Sequence, residues 1–138
     1  MTSDEIRSHL ASRKRWIVLS SIGPDGFPHS VPLGHFLAGD RIIMGCRDGT
    51  QKVRNVERQP KVSLLWENGR GSDRLIGILI RGTARVVRDY DERLALKQEA
   101  ARQRGEESIP TEVGDGFVYI EVQPIRVVAW NRPTRRSS

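Results

Sequence analysis

The side chains best suited to hold an anion lie close together in Gly45-Cys-Arg-Asp-Gly-Thr-Gln-Lys-Val-Arg-Asn-Val-Glu-Arg-Gln-Pro60. A short apolar run, Arg41-Ile-Ile-Met44, leads in, Asp48-Gly49 signals a turn, and Pro60 closes a segment of helical character. The pattern predicts a strand, a tight turn and a short helix. Thr50 has the type of an N-cap, whose hydroxyl can accept from an orphan amide of the first turn. Those amides also favour an anion lying beyond the helix start. Lys52 falls in the first turn, where a cation opposes the helix dipole and needs a reason. One reason is a phosphate held by Arg47, the amides after Gly49, Thr50 and Lys52, with arginine as a bidentate fork and lysine as a mobile point charge. On this segment alone a solvated helix face is the stronger reading, since short basic motifs are common.

The elements that must position these groups follow from periodicity and punctuation. Thr2-Ser-Asp-Glu5 has capping-box spacing and opens a helix running to Arg13, with Ile6 and Leu10 as its apolar stripe and Arg13-Lys14-Arg15 at its basic end. Strands are expected over 16–22, 28–37, 41–46, 61–67 and 75–87, the first two forming a hairpin about Pro24-Asp-Gly26. Pro28 and Pro32 remove ladder donors and mark the second strand as edge-like. The first half of strand 75–87 reads as buried on both faces, and Gly82 as a bend or bulge. A second helix spans Asp89 to Arg104, capped by Asp89 and stopped by Gly105, and a mobile polar connection follows to Gly116. Phe117 to Gln123 alternates as a half-buried strand, Pro124 breaks it, and Arg126 to Trp130 is the last strand. The whole is mainly β with helices (α+β), a small barrel of about six or seven antiparallel strands. One domain covers 1–132 and a disordered basic tail 133–138.

Composition bounds the rest. The chain has 138 residues and a net charge of +6, with 19 arginines against 4 lysines. That balance suits an anionic partner, although arginine is spread along the chain and not gathered in a stripe. Aromatic content of 6% makes nucleic acid the weakest candidate partner. No apolar run approaches the ~20 residues of a membrane span, and the charged N-terminus shows no secretory signal, so a cytoplasmic location is expected. Cys46 is the single cysteine and the three histidines are scattered, so no metal site is expected. His29 and His35 read as packed or solvated residues before they read as acids or bases.

Pro24-Asp-Gly-Phe-Pro-His-Ser-Val-Pro32, the strand ending at Cys46, Lys52 with Asn55 and Pro60, the Leu-Ile-Gly-Ile-Leu-Ile-Arg-Gly-Thr-Ala run and Pro124-Ile-Arg-Val-Val-Ala-Trp130 follow one another in an order that resembles the flavin-binding split-barrel family related to pyridoxamine phosphate oxidase. The resemblance spans about Arg13 to Trp130 and favours the phosphate reading of Lys52. It implies a homodimer with a flavin, FMN, at the subunit interface. It implies backbone contacts from Ser30, Val31, Pro32 and Leu33 to the ring system, and a phosphate held by Gly45, Cys46 and Arg47 with Gln51 and Lys52. Trp66, Trp130 and Arg132 become candidates to reach the partner's flavin, with core packing an equal reading of Trp66. Two departures stand out. Asp48 puts an acid beside the phosphate site, so it must point away, and the chain ends at Ser138 without the extended substrate segment of the true oxidases.

The implied activity is an FMN-dependent oxidoreductase acting on a small molecule, the flavin carrying the chemistry and the protein orienting it. Two alternatives remain open. One is a deazaflavin (F420) reductase, whose polyglutamate tail Arg13-Lys14-Arg15 would attract. The other is a non-enzymatic cofactor or haem-binding module drawing an axial ligand from His9, His29, His35, Cys46 or a tyrosine.

Overall fold

The structure, a computed structural model, describes residues 1–12 and 15–134. Its elements in chain order are α1 (Ser3–Ala11), β1 (Ile17–Ile22), β2 (Pro28–Leu33), β3 (Phe36–Ala38), β4 (Arg41–Arg47), α2 (Gln51–Arg58), β5 (Lys61–Glu67), β6 (Arg74–Val87), α3 (Tyr90–Gln103) and β7 (Phe117–Pro133). All seven strands join one antiparallel sheet in the order β2-β1-β5-β6-β7-β4-β3. The sheet curls around an apolar interior as a split barrel. Ile17, Leu19, Ile42, Met44, Leu64, Ile78, Ile80 and Ile120 are fully buried inside it. A second, smaller core lies on the other face, where Leu96 and Ala100 of α3 cover Phe36, Ile43 and Tyr119.

Several local expectations are met for the reasons given. Thr2 caps α1, accepting from the Glu5 amide at 3.1 Å, and Leu10 packs into the barrel with Ile6 against it. Asp89 caps α3 by accepting from the Glu92 amide at 3.0 Å. Gly105 follows that helix with φ of 72°. No helix among the described residues is long and apolar enough to cross a membrane.

Five expectations are corrected. The second strand does not run from Pro28 to Leu37: it stops at Leu33, and after Gly34-His35 the chain resumes as β3 at the opposite edge of the sheet. Pro124 does not break the last strand, because the irregularity is absorbed by a bulge. Arg81 pairs with Arg126 and Gly82 with Pro124, leaving Ile125 as the extra residue. Gly82 is needed there, since a Cβ would sit 2.6 Å from the Gln123 carbonyl oxygen. The first half of β6 is not buried on both faces: Ile78 and Ile80 point inward, whereas Leu75 is 42% exposed on the outside. Nor is 105–116 a free polar connection. Arg93 donates to Gly114 O, Lys97 to Glu112 O and Gln98 to Pro110 O, and Val113 is buried. β7 also extends to Pro133, past the strand end expected at Trp130. The remainder of the expected tail, from residue 135, lies outside the described residues, as do Arg13 and Lys14.

Candidate functional site

Both backbone segments expected to hold a cofactor are unpaired sheet edges. β2 bonds only to β1, so one side of Ser30–Leu33 is free. β4 pairs with β7 along Ile42–Arg47, but with β3 only at Arg41–Ile43, which frees the other side of Gly45–Arg47. The two-residue link Gly34-His35 holds Leu33 and Phe36 within about 11 Å, so the two edges come together at that end. This is the split in the barrel. Unpaired N–H and C=O groups there are ready partners for a planar heterocycle with polar edges.

α2 starts three residues beyond the β4 edge. Its sequence folds this way because Gly49 takes a φ of 75° and Val53 and Val56 are buried against the barrel. Thr50 stands at the N-cap position, yet its hydroxyl donates to Arg47 O at 3.1 Å and caps no amide. The expected cap is thereby corrected, and the first-turn amides keep no side-chain acceptor. No acid lies in that turn. Lys52 is half-buried and forms no salt bridge among the described residues. Burial pushes the Cys46 thiol up, and the Lys52 ammonium nearby opposes that shift.

Asp48 stays near enough for its charge to act on Cys46, against that of Lys52, and is held by partners of its own. Arg88 takes its Oδ2, while its Oδ1 accepts from the Gly49 amide at 2.7 Å. The hydrogen bond from Arg88 is the main cause that holds this carboxyl below its ordinary range. Arg88 also reaches Glu57 at 2.9 Å and so pins the turn to α2. Nothing in the sequence separation of 40 residues signals that partnership.

The second fixed point of α2 is Asn55, fully buried. Its Nδ2 donates to Ser21 Oγ at 3.1 Å, and its Oδ1 accepts from Gln51 Nε2 at 2.7 Å and from Arg58 at 3.4 Å. Gln51 Oε1 in turn accepts from Arg54 at 2.7 Å. Gln51 is therefore tied into a network that orients the helix.

Gly34 of the link and Gly45 of the β4 edge line a cavity of about 240 Å³ together with Arg104, Phe117 and Tyr119. Gly45 must lack a side chain, because a Cβ would fall 2.6 Å from the Phe117 ring. Phe117 meets Tyr119 edge-on at 5.4 Å, and burial raises the Tyr119 hydroxyl above its ordinary value. This wall comes from the α3 side and left no local pattern by which to find it.

The remaining candidates stand apart. Trp66 is 3% exposed in the barrel interior, its ring 5.4 Å from that of His9, and its packing is that of a core residue. Trp130 lies on the outer face over Gly77, where a Cβ would come 2.1 Å from the indole. Phe117, opposite Arg47, lies thirteen residues earlier on the same strand, up to about 43 Å away. Trp130 and Arg132 thus lie at the far end of β7 from the residue that faces Arg47. Of the possible haem ligands, Cys46 is buried, and buried His35 shares a hydrogen bond of 2.7 Å with Leu10 O. No cluster of potential metal ligands occurs among the described residues.

Comparison with known proteins agrees with this architecture. A family model described as pyridoxamine 5'-phosphate oxidase matches residues 2–131. Among solved structures, the conserved hypothetical protein Rv2991 from Mycobacterium tuberculosis superposes with a TM-score of 0.80 at 23% identity, over 100% of this chain and 92% of that one. An FAD binding protein from Mycobacterium smegmatis gives 0.68 at 16% identity, over 98% of each chain. An F420 reductase gives 0.64 at 20% identity, over 86% of this chain and 93% of the other. No curated protein matches the sequence.

Proposed function

The chain belongs to the pyridoxamine 5'-phosphate oxidase family, and from that premise we propose that it is an FMN-dependent oxidoreductase acting on a small organic molecule. The observation that carries the reading is the pair of unpaired edges, Ser30–Leu33 and Gly45–Arg47, opening beside the uncapped, acid-free first turn of α2. Ring edges would bond to the two backbones, and the ribityl phosphate would meet the α2 amides, Arg47 and Lys52. The residues present fit such a group: Gly45 carries no side chain into the split, and the acid of the turn, Asp48, is paired with Arg88. Bound FMN would supply hydride and one-electron chemistry, while the chain supplies position and exclusion of water.

The outer face supports the homodimer. Pro32, Val18, Leu65, Leu79 and Val128 form one apolar row across five strands, with Leu65 36% and Val128 44% exposed. A second subunit against this face would bury the row and could bring its Trp130 and Arg132 to the split. The test is titration of purified protein with FMN, followed by tryptophan fluorescence and flavin absorbance. Lys52→Ala is expected to weaken FMN roughly tenfold to a hundredfold and riboflavin, which lacks the phosphate, hardly at all. Equal losses for both ligands, or no FMN binding by the parent protein, refute the reading.

A deazaflavin F420 reductase is the second reading, favoured by the fold shared with an F420 reductase. Of the basic run assigned to its tail, Arg15 is occupied by Glu67 at 2.8 Å. Tighter binding of F420 than of FMN in the same titration would select it.

A further inference from the structure

Apart from the split, a groove of about 750 Å³ lies on the outer face of the sheet. It follows one cross-strand row. Ser20 pairs with Ser30 on one side and Ser63 on the other, Ser63 pairs with Arg81, and Arg81 pairs with Arg126. Partners in an antiparallel ladder project to the same face, so three hydroxyls and two guanidinium groups stand in line. Two like charges directly opposite each other destabilise a sheet, which makes the Arg81–Arg126 pair a cost to explain.

Nothing in the fold offsets that cost. Lys61 adds a third cation to the lining, which contains no acid, and none of the three forms a salt bridge among the described residues. The hydroxyls lean on each other instead, Ser20 Oγ to Ser30 Oγ at 2.8 Å. The floor is apolar, built from Ile22 and Pro28. The β7 bulge sits at this place, and its extra residue, Ile125, is 71% exposed in the groove wall. Bulges re-aim side chains, and this one puts an apolar group beside a guanidinium. A volume of this size suits a small molecule, and the lining calls for one that is apolar in body and anionic at one end.

We infer that this groove is a binding site, separate from the split, for a small organic anion: a carboxylate, sulfonate or phosphate ester on an apolar or aromatic body. The anion lies between Arg81 and Arg126 with Lys61 in range, and the body rests on Ile22, Pro28 and Ile125. The site depends on none of the residues assigned to FMN through their side chains, and it rests on the proposed homodimer covering the neighbouring row, Pro32–Val18–Leu65–Leu79–Val128, two residues along each strand, without closing the groove.

The probe is 8-anilinonaphthalene-1-sulfonate, which fluoresces when its rings leave water, compared with N-phenyl-1-naphthylamine, which has the same body and no charge. The full chain is expected to bind the sulfonate at one site per subunit and at least tenfold tighter than the neutral amine. Arg81→Gln and Arg126→Gln should each weaken it about threefold to fivefold, and the double variant about tenfold or more. Raising salt from about 0.05 M to about 0.5 M should weaken the parent and leave the double variant nearly unchanged. Both arginines are exposed, and their replacement removes a repulsion, so the variants should fold. Octanoate should displace the probe, and Lys52→Ala should leave its binding intact. Equal affinity for charged and neutral probes, indifference to both substitutions, or displacement by FMN overturns the inference. A loss of dimerisation in the double variant without a loss of sulfonate affinity assigns the pair to a protein interface, and overturns it as well.

Discussion

Asn55→Ala should be the most damaging small substitution in α2. The buried amide makes three side-chain hydrogen bonds, to Ser21, Gln51 and Arg58. Truncation leaves the Ser21 hydroxyl, itself 1% exposed, without its donor and Gln51 Nε2 without its acceptor. A buried polar group stripped of its partner costs about 1–3 kcal/mol, and the weaker bond to Arg58 adds little, so the sum is about 2–4 kcal/mol. For a chain of this length the entropy of unfolding is roughly 0.3 kcal/mol per kelvin, so Tm should fall by about 7–14 °C. Urea unfolding provides the assay, with the midpoint shifted by about 1–2 M and the slope unchanged. Since Gln51 and Lys52 ride on the same helix, FMN affinity should fall with stability, although Asn55 itself points to the barrel. A loss below about 1 kcal/mol, with FMN affinity intact, would show that Val53 and Val56 alone seat the helix and that the polar anchor is dispensable.

Three other perturbations follow from particular contacts. Hydrogen bonds from Arg88 and Arg15 hold the Asp48 and Glu67 carboxyls below their ordinary values of 3.8 and 4.5. A carboxyl lowered in the folded state adds stability that is complete above its unfolded value and lost as pH falls through the folded one. Tm should therefore stay level from about pH 8 to 6 in this respect and decline below about 4.5, with Arg88→Gln flattening the Asp48 share of the acid limb; an unchanged limb in that variant would contradict the assignment. Cys46 is buried and its thiol is pushed up, so iodoacetamide should modify it at least about tenfold more slowly in folded than in urea-unfolded protein. Equal rates would mean that the end of β4 opens readily. Gly77→Ala should cost about 1–3 kcal/mol and shift tryptophan emission, because Trp130 must leave its place over the strand. An unaltered spectrum would count against that packing.

What the sequence discloses depends on whether a feature is local. The caps at Thr2 and Asp89, the edge character of β2 signalled by Pro28 and Pro32, and the bulge at Gly82 are written within a few residues of where they act. So is the basic first turn of α2. The hydroxyl of Thr50 misled because an Arg47 carbonyl competes for it, a choice the sequence does not encode. Pro124 misled because a missing ladder donor can be accommodated by a bulge in its own strand, at Ile125. The switch of edges at Gly34-His35, the Arg88–Asp48 bridge and the Phe117 wall depend on which distant segments meet. No periodicity within 28–37 distinguishes a strand that continues from one that crosses to the other side of the barrel. The row Ser30–Ser20–Ser63–Arg81–Arg126 likewise exists only once five strands are in register.

The seventeen residues of β7 serve both halves of the sheet, its first part bonding to β4 and the stretch from Tyr119 to Pro133 to β6. β4 therefore leaves the ribosome roughly 70 residues ahead of the strand that completes it. Until Phe117–Val122 arrives, Met44 and Cys46 lack the apolar cover of Val118 and Ile120, and the early hairpin has only partial partners. Nascent chains arrested before residue 117 should thus be substrates for holdase chaperones and proteases, and protection should appear in a single step as the last strand docks.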